Sequence, residues 1–191
     1  MMSIEDFNKS VTNGNTFVVD YTRATRNARG VEFYDEVPTD ITSFALLQNT
    51  HTGARKVSYY RINFEQNSAL MNGHRQCECM MKSVVGKKPW LLLVEMKYCD
   101  EANISINSED AFIQLKRTLA FLRENGVVDE HDRIYLNVAI PPHSQYEPFD
   151  AFKTTQVEML DEYERNKIIV YAYNHLEIQT ESYLMPIKRE I

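Results

Sequence analysis

An α/β (α+β) chain built on a mixed β-sheet is what this sequence predicts, and three stretches predict it. Trp90 to Val94 is an apolar run of strand length that ends abruptly on Glu95, Met96 and Lys97. Ahead of it, Ser83 to Pro89 contains Gly86, Lys87, Lys88 and a proline, which is turn chemistry, so the run and the segment before it read as a hairpin. Behind it, Glu109 to Glu124 sets Phe112, Leu115, Leu119 and Leu122 on one helical stripe, and Asp132 to Ile140 (DRIYLNVAI) follows as a strand. A hairpin pairs antiparallel, whereas a strand reached through a crossover helix pairs parallel with an earlier one, and the two together require a mixed sheet.

The remaining elements follow in chain order. Ile4, Phe7 and Val11 recur at helical spacing, with Ser3 as N-cap and Asp6 three residues on, which predicts a short helix over 4–11. Asn13-Gly14-Asn15 turns the chain into TFVVDY, a strand. Arg23, Arg26 and Arg29 then recur every third residue, aligned on a helix face or carried on an exposed loop. The next stretch is mixed, with Phe44 to Leu47 packing inward and Thr52-Gly53 starting a turn. Lys56 to Phe64 (KVSYYRINF), rich in β-branched and aromatic residues, reads as a strand, and Asn72-Gly73 marks a turn after it. With the hairpin this makes a three-stranded antiparallel meander leading into Glu95. Asp100 to Ser108 reads as a polar connector, with Ser108 as N-cap, Glu109 and Asp110 at the positive end of the helix, and Gly126 at its stop. Pro141-Pro142 ends the following strand. Tyr146 to Asn166 is predicted helical in its second part, with Val157, Leu160 and Tyr163 packing, and Lys167 to Ala172 is a strand followed by an edge strand around Leu176 to Gln179. With no internal repeat, low-complexity tract or linker, residues 1–191 are expected to form a single domain.

At 191 residues, 43% apolar and 25% charged, the chain is long enough for one substantial core. Its apolar runs fall well short of the roughly 20 residues of a membrane span. MMSIEDFNKS is acidic where a signal peptide is basic, so the expected address is the cytoplasm, with no membrane partner. An odd count of three cysteines fits reduced thiols there. His74, Cys77, Cys79 and Cys99 are zinc-ligand types lying close together, but strand alternation turns Cys77 and Cys79 away from Glu78 and turns His74 and Cys99 toward it, which parts the four. The net charge of −6 is unevenly spread: residues 1–99 hold 12 Lys+Arg against 10 Asp+Glu, and the remainder 9 against 17. The less acidic half admits a nucleic-acid-facing side, and equally a solvated, charge-segregated surface.

The hairpin carries the chemistry. A turn centred on Ser83 to Trp90 sets Glu78 opposite Glu95. Directly opposed residues have Cβ atoms about 4.5–5.5 Å apart, where like charges repel unless a cation lies between them. Alternation places Gln76, Glu78 and Met80 on one face of the first strand and Leu93, Glu95 and Lys97 on the matching face of the second, so a lysine joins the two carboxylates. A plainer reading of the same residues is a solvated strand end with Glu78 salt-bridged to Lys97 and no ion.

A carboxylate on one strand, a connector, then an apolar strand ending in Glu-X-Lys resembles the PD-(D/E)XK nuclease superfamily, the restriction-endonuclease-like fold. The matching residues are Glu78, Glu95 and Lys97, within a stretch from about Tyr59 to Ile140, and the nuclease-like core is expected over about 56–140. Glu78 stands where that family usually has aspartate and is one methylene longer. The resemblance implies a three-layer fold, a central mixed sheet flanked by helices, and a metal-dependent nuclease that hydrolyses phosphodiester bonds in DNA or RNA, with DNA favoured. It implies Mg²⁺ or Mn²⁺ held by Glu78, Glu95 and the Met96 carbonyl, with Lys97 stabilising the transition state. In relatives a glutamine on the helix after the motif reaches the site, which points to Gln114, although Thr118 stands where one variant of the pattern has tyrosine. An acid from a helix before the first strand sometimes contributes, which points to Glu5 or Asp6. Arg23, Arg26, Arg29 and Arg75 are the candidate phosphate contacts. Proteins of this fold also survive without catalysis, so the alternative is an inactive nuclease-fold protein acting as an interaction module, as a homo-oligomer or on a protein partner.

Overall fold

The protein is described by a computed structural model covering residues 1–51, 56–71, 73–143 and 167–187. Ser3 caps a single 3-10 turn at Ile4–Asp6, and the Asp6 side chain reaches back to the Ser3 amide, the reciprocal box that these residues predict. The predicted helix over 4–11 stops there, because Phe7 is extended and buried with its ring against Phe64. The chain continues through β1 (Ser10–Thr12), β2 (Thr16–Asp20), the one-turn α1 (Tyr21–Ala24), β3 (Val31–Tyr34), β4 (Ala45–Gln48), β5 (Tyr59–Asn63), β6 (Cys79–Ser83) and β7 (Trp90–Met96). Then come α2 (Ile104–Glu124), β8 (Arg133–Ala139), β9 (Ile168–Tyr171), β10 (His175–Thr180) and β11 (Tyr183–Pro186).

The architecture is α+β with two mixed sheets. The first has strand order β1-β5-β6-β7-β8-β9 and the second β11-β10-β4-β2-β3. The predicted meander is present: β5, β6 and β7 pair antiparallel, in the register Cys79↔Val94 to Lys82↔Leu91 that places Glu78 and Glu95 at the same level. β8 pairs parallel with β7, and β9 parallel with β8.

β7 is buried along its whole length, which is why it reads as a continuous apolar run. Leu91 and Leu93 face α2, where Leu115, Leu119 and Leu122 close one core. Trp90, Leu92 and Val94 face the second sheet, where Val18, Leu47, Leu176 and Ile178 close another. Among the described residues the layers are therefore helix, sheet and sheet. Helices are few: among the described residues there are two α-helices, and only α2 is long enough to cover a sheet.

Two further features differ from expectation. The polar connector at Asp100–Ser108 is a 3-10 turn (Glu101–Asn103) leading into α2 at Ile104, so Ser108 is buried within the helix and Asn103, not Ser108, is the N-cap. Packing of Ile104 and Ala111 on the core extends the helix through residues of modest propensity. β10 is an interior strand, parallel to β4, and β11 is the edge. Gly126, with φ +82°, ends α2 as predicted. Thr52-Gly53, Asn72 and the helix expected within 146–166 lie outside the described residues. Among the described residues no helix is long and apolar enough to cross a membrane.

Candidate functional site

The end of β7 delivers Glu95 into the layer between the first sheet and α2, on the same side as Leu91 and Leu93. Glu95 is 1% exposed. Its Oε1 accepts from Lys97 Nζ at 2.7 Å and its Oε2 from Gln114 Nε2 at 2.9 Å. Lys97 also donates to Asp110 Oδ2 at 3.0 Å, and the same oxygen accepts from Arg75 at 2.8 Å. Asp110 and Gln114 are four residues apart and so share a helix face. α2 thus grips the motif twice, Asp110 on Lys97 and Gln114 on Glu95. Gln114 Nε2 donates to the Gln76 carbonyl as well, while its Oε1 is buried without a partner among the described residues. Thr118, one further turn along, accepts from the Cys77 amide at 2.9 Å and fixes the segment beside the helix.

Glu78 arrives differently from the expectation. The β6 ladder ends at Cys79 and Glu78 sits in a bend, so the alternation predicted for Gln76, Glu78 and Met80 does not extend past Cys79. Cys77 turns into the core beside α2 while Cys79 faces the second sheet, so the two thiols do not share a face as alternation had it. The Glu78 carboxyl nonetheless comes close enough to Glu95 for the two to interact electrostatically, and its Oε2 accepts from the Met96 amide at 3.4 Å. Lys97 pairs with Glu95 and Asp110, not with Glu78 as the plainer reading had it.

These contacts set the protonation states. Burial, then the hydrogen bond to Glu95 and the charge of Glu95, push the Glu78 carboxyl well above the usual carboxylate range. Burial pulls Lys97 down, but Glu95 and Asp110 outweigh it and raise its ammonium above the ordinary value. Asp110 is held low, first by the hydrogen bond from Lys97. In metal-free buffer, then, folded Glu78 keeps a proton that the unfolded chain loses above the ordinary carboxyl range. That contribution to stability is full below the unfolded value and is lost as pH rises toward the folded one, with a slope of at most about 1.4 kcal/mol per pH unit. Urea unfolding in EDTA between about pH 5 and 8 should show wild-type stability falling with pH and Glu78→Gln flattening the fall. An unchanged slope in Glu78→Gln would contradict the raised Glu78 carboxyl.

A cleft of about 250 Å³ opens above these groups. The second sheet and the loop after β5 add two acids to its wall that the sequence reading did not single out, Asp20 and Glu65. Asp20 ends β2 and caps α1 by accepting from the Arg23 amide at 3.3 Å, and burial raises its carboxyl. Glu65 Oε2 accepts from the Val31 amide at 3.0 Å, beneath Gly30, where a Cβ would lie 2.0 Å from that oxygen. The signal for Asp20 was present: FVVD, like LLLVE, is an apolar run that stops on an acid. Asp110 was read only as a helix-end charge, because the helix was started too late.

Of the candidate phosphate contacts, Arg23 and Arg75 line the cleft. Arg26 is exposed at φ +57°, and Arg29 is committed to Glu32, Asp40 and the face of Tyr21 at 3.7 Å. α1 ends at Ala24, so the three-residue spacing never becomes a shared face. Glu5 pairs with Lys9 and Asp6 serves its cap, so neither joins the cleft. His74 lies against Phe121, and Cys99 is half-buried with its carbonyl on His143.

The donor set suits a hard cation. Glu78 and Glu95 are neighbouring buried acids that raise each other's cost of ionising unless a cation lies between them, and Mg²⁺ commonly takes one or two carboxylates, leaving its other positions to water and phosphate. Among the described residues no group of three or more His, Cys, Asp and Glu side chains is arranged to hold an ion. Comparison with known proteins found no matching family model, no matching curated protein and no matching solved structure.

Proposed function

We propose that the chain is a metal-dependent nuclease with a restriction-endonuclease-like core, hydrolysing phosphodiester bonds in nucleic acid, DNA before RNA. The observation that supports this most is the meeting of Glu78, Glu95 and Lys97 in one cleft that also presents Arg23 and Arg75. Mg²⁺ or Mn²⁺ held by Glu78, Glu95 and the Met96 carbonyl would supply Lewis acidity and a more acidic bound water. Lys97 acts as a fixed positive charge: the carboxylates around it favour the ammonium, which suits it to stabilise negative charge developing on the phosphate and unsuits it as a base. Asp110 and Gln114 are positioning residues that hold Lys97 and Glu95 before substrate arrives.

The interaction-module alternative has one observation in its favour: Lys97 is paired with both Glu95 and Asp110. Isothermal titration with Mg²⁺ and Mn²⁺, run beside a nuclease screen on single- and double-stranded DNA and RNA, separates the two. Ion binding with ion-dependent cleavage is the expected result. No ion bound at millimolar concentration and no cleavage would leave the interaction module.

A further inference from the structure

We infer that the substrate is single-stranded nucleic acid, and that the strand leaves the cleft across Arg75 into a neighbouring recess where His74 stacks a base and Arg117 meets a phosphate. This rests on the nuclease reading and names its substrate class.

The first ground is depth. Glu95 is 1% exposed and the Lys97 side chain 14%, at the floor of a cleft of about 250 Å³. A base-paired helix carries its phosphates on a broad, stiff cylinder with a major groove about 12 Å wide, and that stiffness resists lowering one phosphate to the floor of so small a cleft. A single strand can bend one phosphate down to the floor.

The second ground is continuity. Arg75 lines both the cleft and a recess of about 420 Å³ bordered by His74, Arg117, Phe121 and Glu124. Thr118 belongs to that recess and also holds the Cys77 amide, so the segment 74–77 laid along α2 forms one wall for both. Along the helix, Gln114 to Phe121 spans roughly 10 Å at 1.5 Å per residue. That is the length of about three stacked nucleotides at 3.4 Å each.

The third ground is chemistry. The Arg117 side chain is exposed and makes no ion pair or hydrogen bond among the described residues. His74 is exposed, with its ring 4.9 Å from buried Phe121, so a rigid phenyl backs an imidazole that offers a flat surface to a base. Glu124 on the same rim repels phosphate and biases the backbone toward Arg75 and Arg117.

Fluorescence anisotropy with a labelled DNA single strand and its duplex tests this, with Ca²⁺ as the divalent ion and strand integrity checked on a gel. The single strand should bind at least about tenfold tighter than the duplex. Arg117→Ala should weaken single-strand binding and reduce the log–log salt slope by about 0.7, one phosphate's share. His74→Ala should weaken it about 5- to 100-fold with the slope unchanged. Both residues are exposed, so neither variant is expected to disturb folding. Equal or tighter duplex binding, or wild-type affinity in both variants, would overturn the inference. The nuclease reading fails separately, by the absence of ion-dependent cleavage of any nucleic acid by the wild-type chain.

Discussion

Glu95→Gln is expected to lower divalent-ion-dependent cleavage about 10³-fold or more, equivalent to roughly 4 kcal/mol of lost transition-state stabilisation. The amide keeps the size of the side chain and an oxygen to accept from Lys97; it loses the charge that would hold a cation and turns its amino group toward Gln114, which donates to Glu95 in the wild type. Because Glu95 is 1% exposed and sits at the junction of β7 and α2, its loss cannot be compensated by a neighbouring side chain swinging in from solvent. Lys97→Ala should cost about 10²–10³-fold by removing a fixed positive charge that the carboxylates have already oriented. Each variant is to be assayed for initial rate at saturating Mg²⁺ and Mn²⁺, with Tm followed by far-UV circular dichroism. Lys97→Ala leaves Glu95 without its nearest cation, so some loss of Tm is expected. The rate is to be compared at a temperature where each variant is folded. Retained cleavage in both variants would remove the hydrolase assignment. A parallel loss of rate and of folded protein would show only that the pair is structural.

How much of this was legible follows the range of the interactions. The β5-β6-β7 meander and its register were readable because each pairing joins neighbours in sequence, where turn chemistry and apolar length decide the match. The level of Glu78 with Glu95 follows from that register even though β6 stops at Cys79. The second sheet was not readable in the same way. β4 pairs with β10, Leu46 against His175, across more than half the chain, and nothing local in FALLQ announces so distant a partner. Asp20 and Glu65 come to the cleft through that sheet and the loop beneath Gly30, so they are consequences of long-range packing. The first turn of α2 was misread because Asn103, Ser105, Asn107 and Ser108 favour caps and turns in isolation, and tertiary burial of Ile104 and Ala111 overrode that preference. That one misplaced boundary hid Asp110, which faces Lys97 only because the helix begins a turn earlier.

Trp90→Ala should destabilise the protein by about 3–5 kcal/mol, the largest stability effect expected from a single truncation in the core. Trp90 is fully buried, opens β7 and fills the space between the two sheets, its ring 5.6 Å from that of Tyr59. Its indole Nε1 donates to the Thr180 carbonyl at 3.1 Å and its backbone amide to the Glu181 carbonyl at 3.2 Å, at the end of β10 and in the turn that follows it. The residue therefore ties the first sheet to the second by packing and by two polar contacts. Alanine keeps only the backbone bond and leaves the Thr180 carbonyl without the indole. Against a typical total of about 5–15 kcal/mol, that loss is a large fraction of the whole. Trp90→Phe should cost less, about 1–2 kcal/mol, because most of the apolar volume stays and the indole hydrogen bond goes. Since the chain has a single tryptophan, unfolding is to be followed by circular dichroism in urea. A cost below about 1 kcal/mol for Trp90→Ala would mean that the sheets do not meet at this side chain. A loss of cleavage without loss of stability would instead mean that Trp90 acts on the cleft, which lies at the other end of β7.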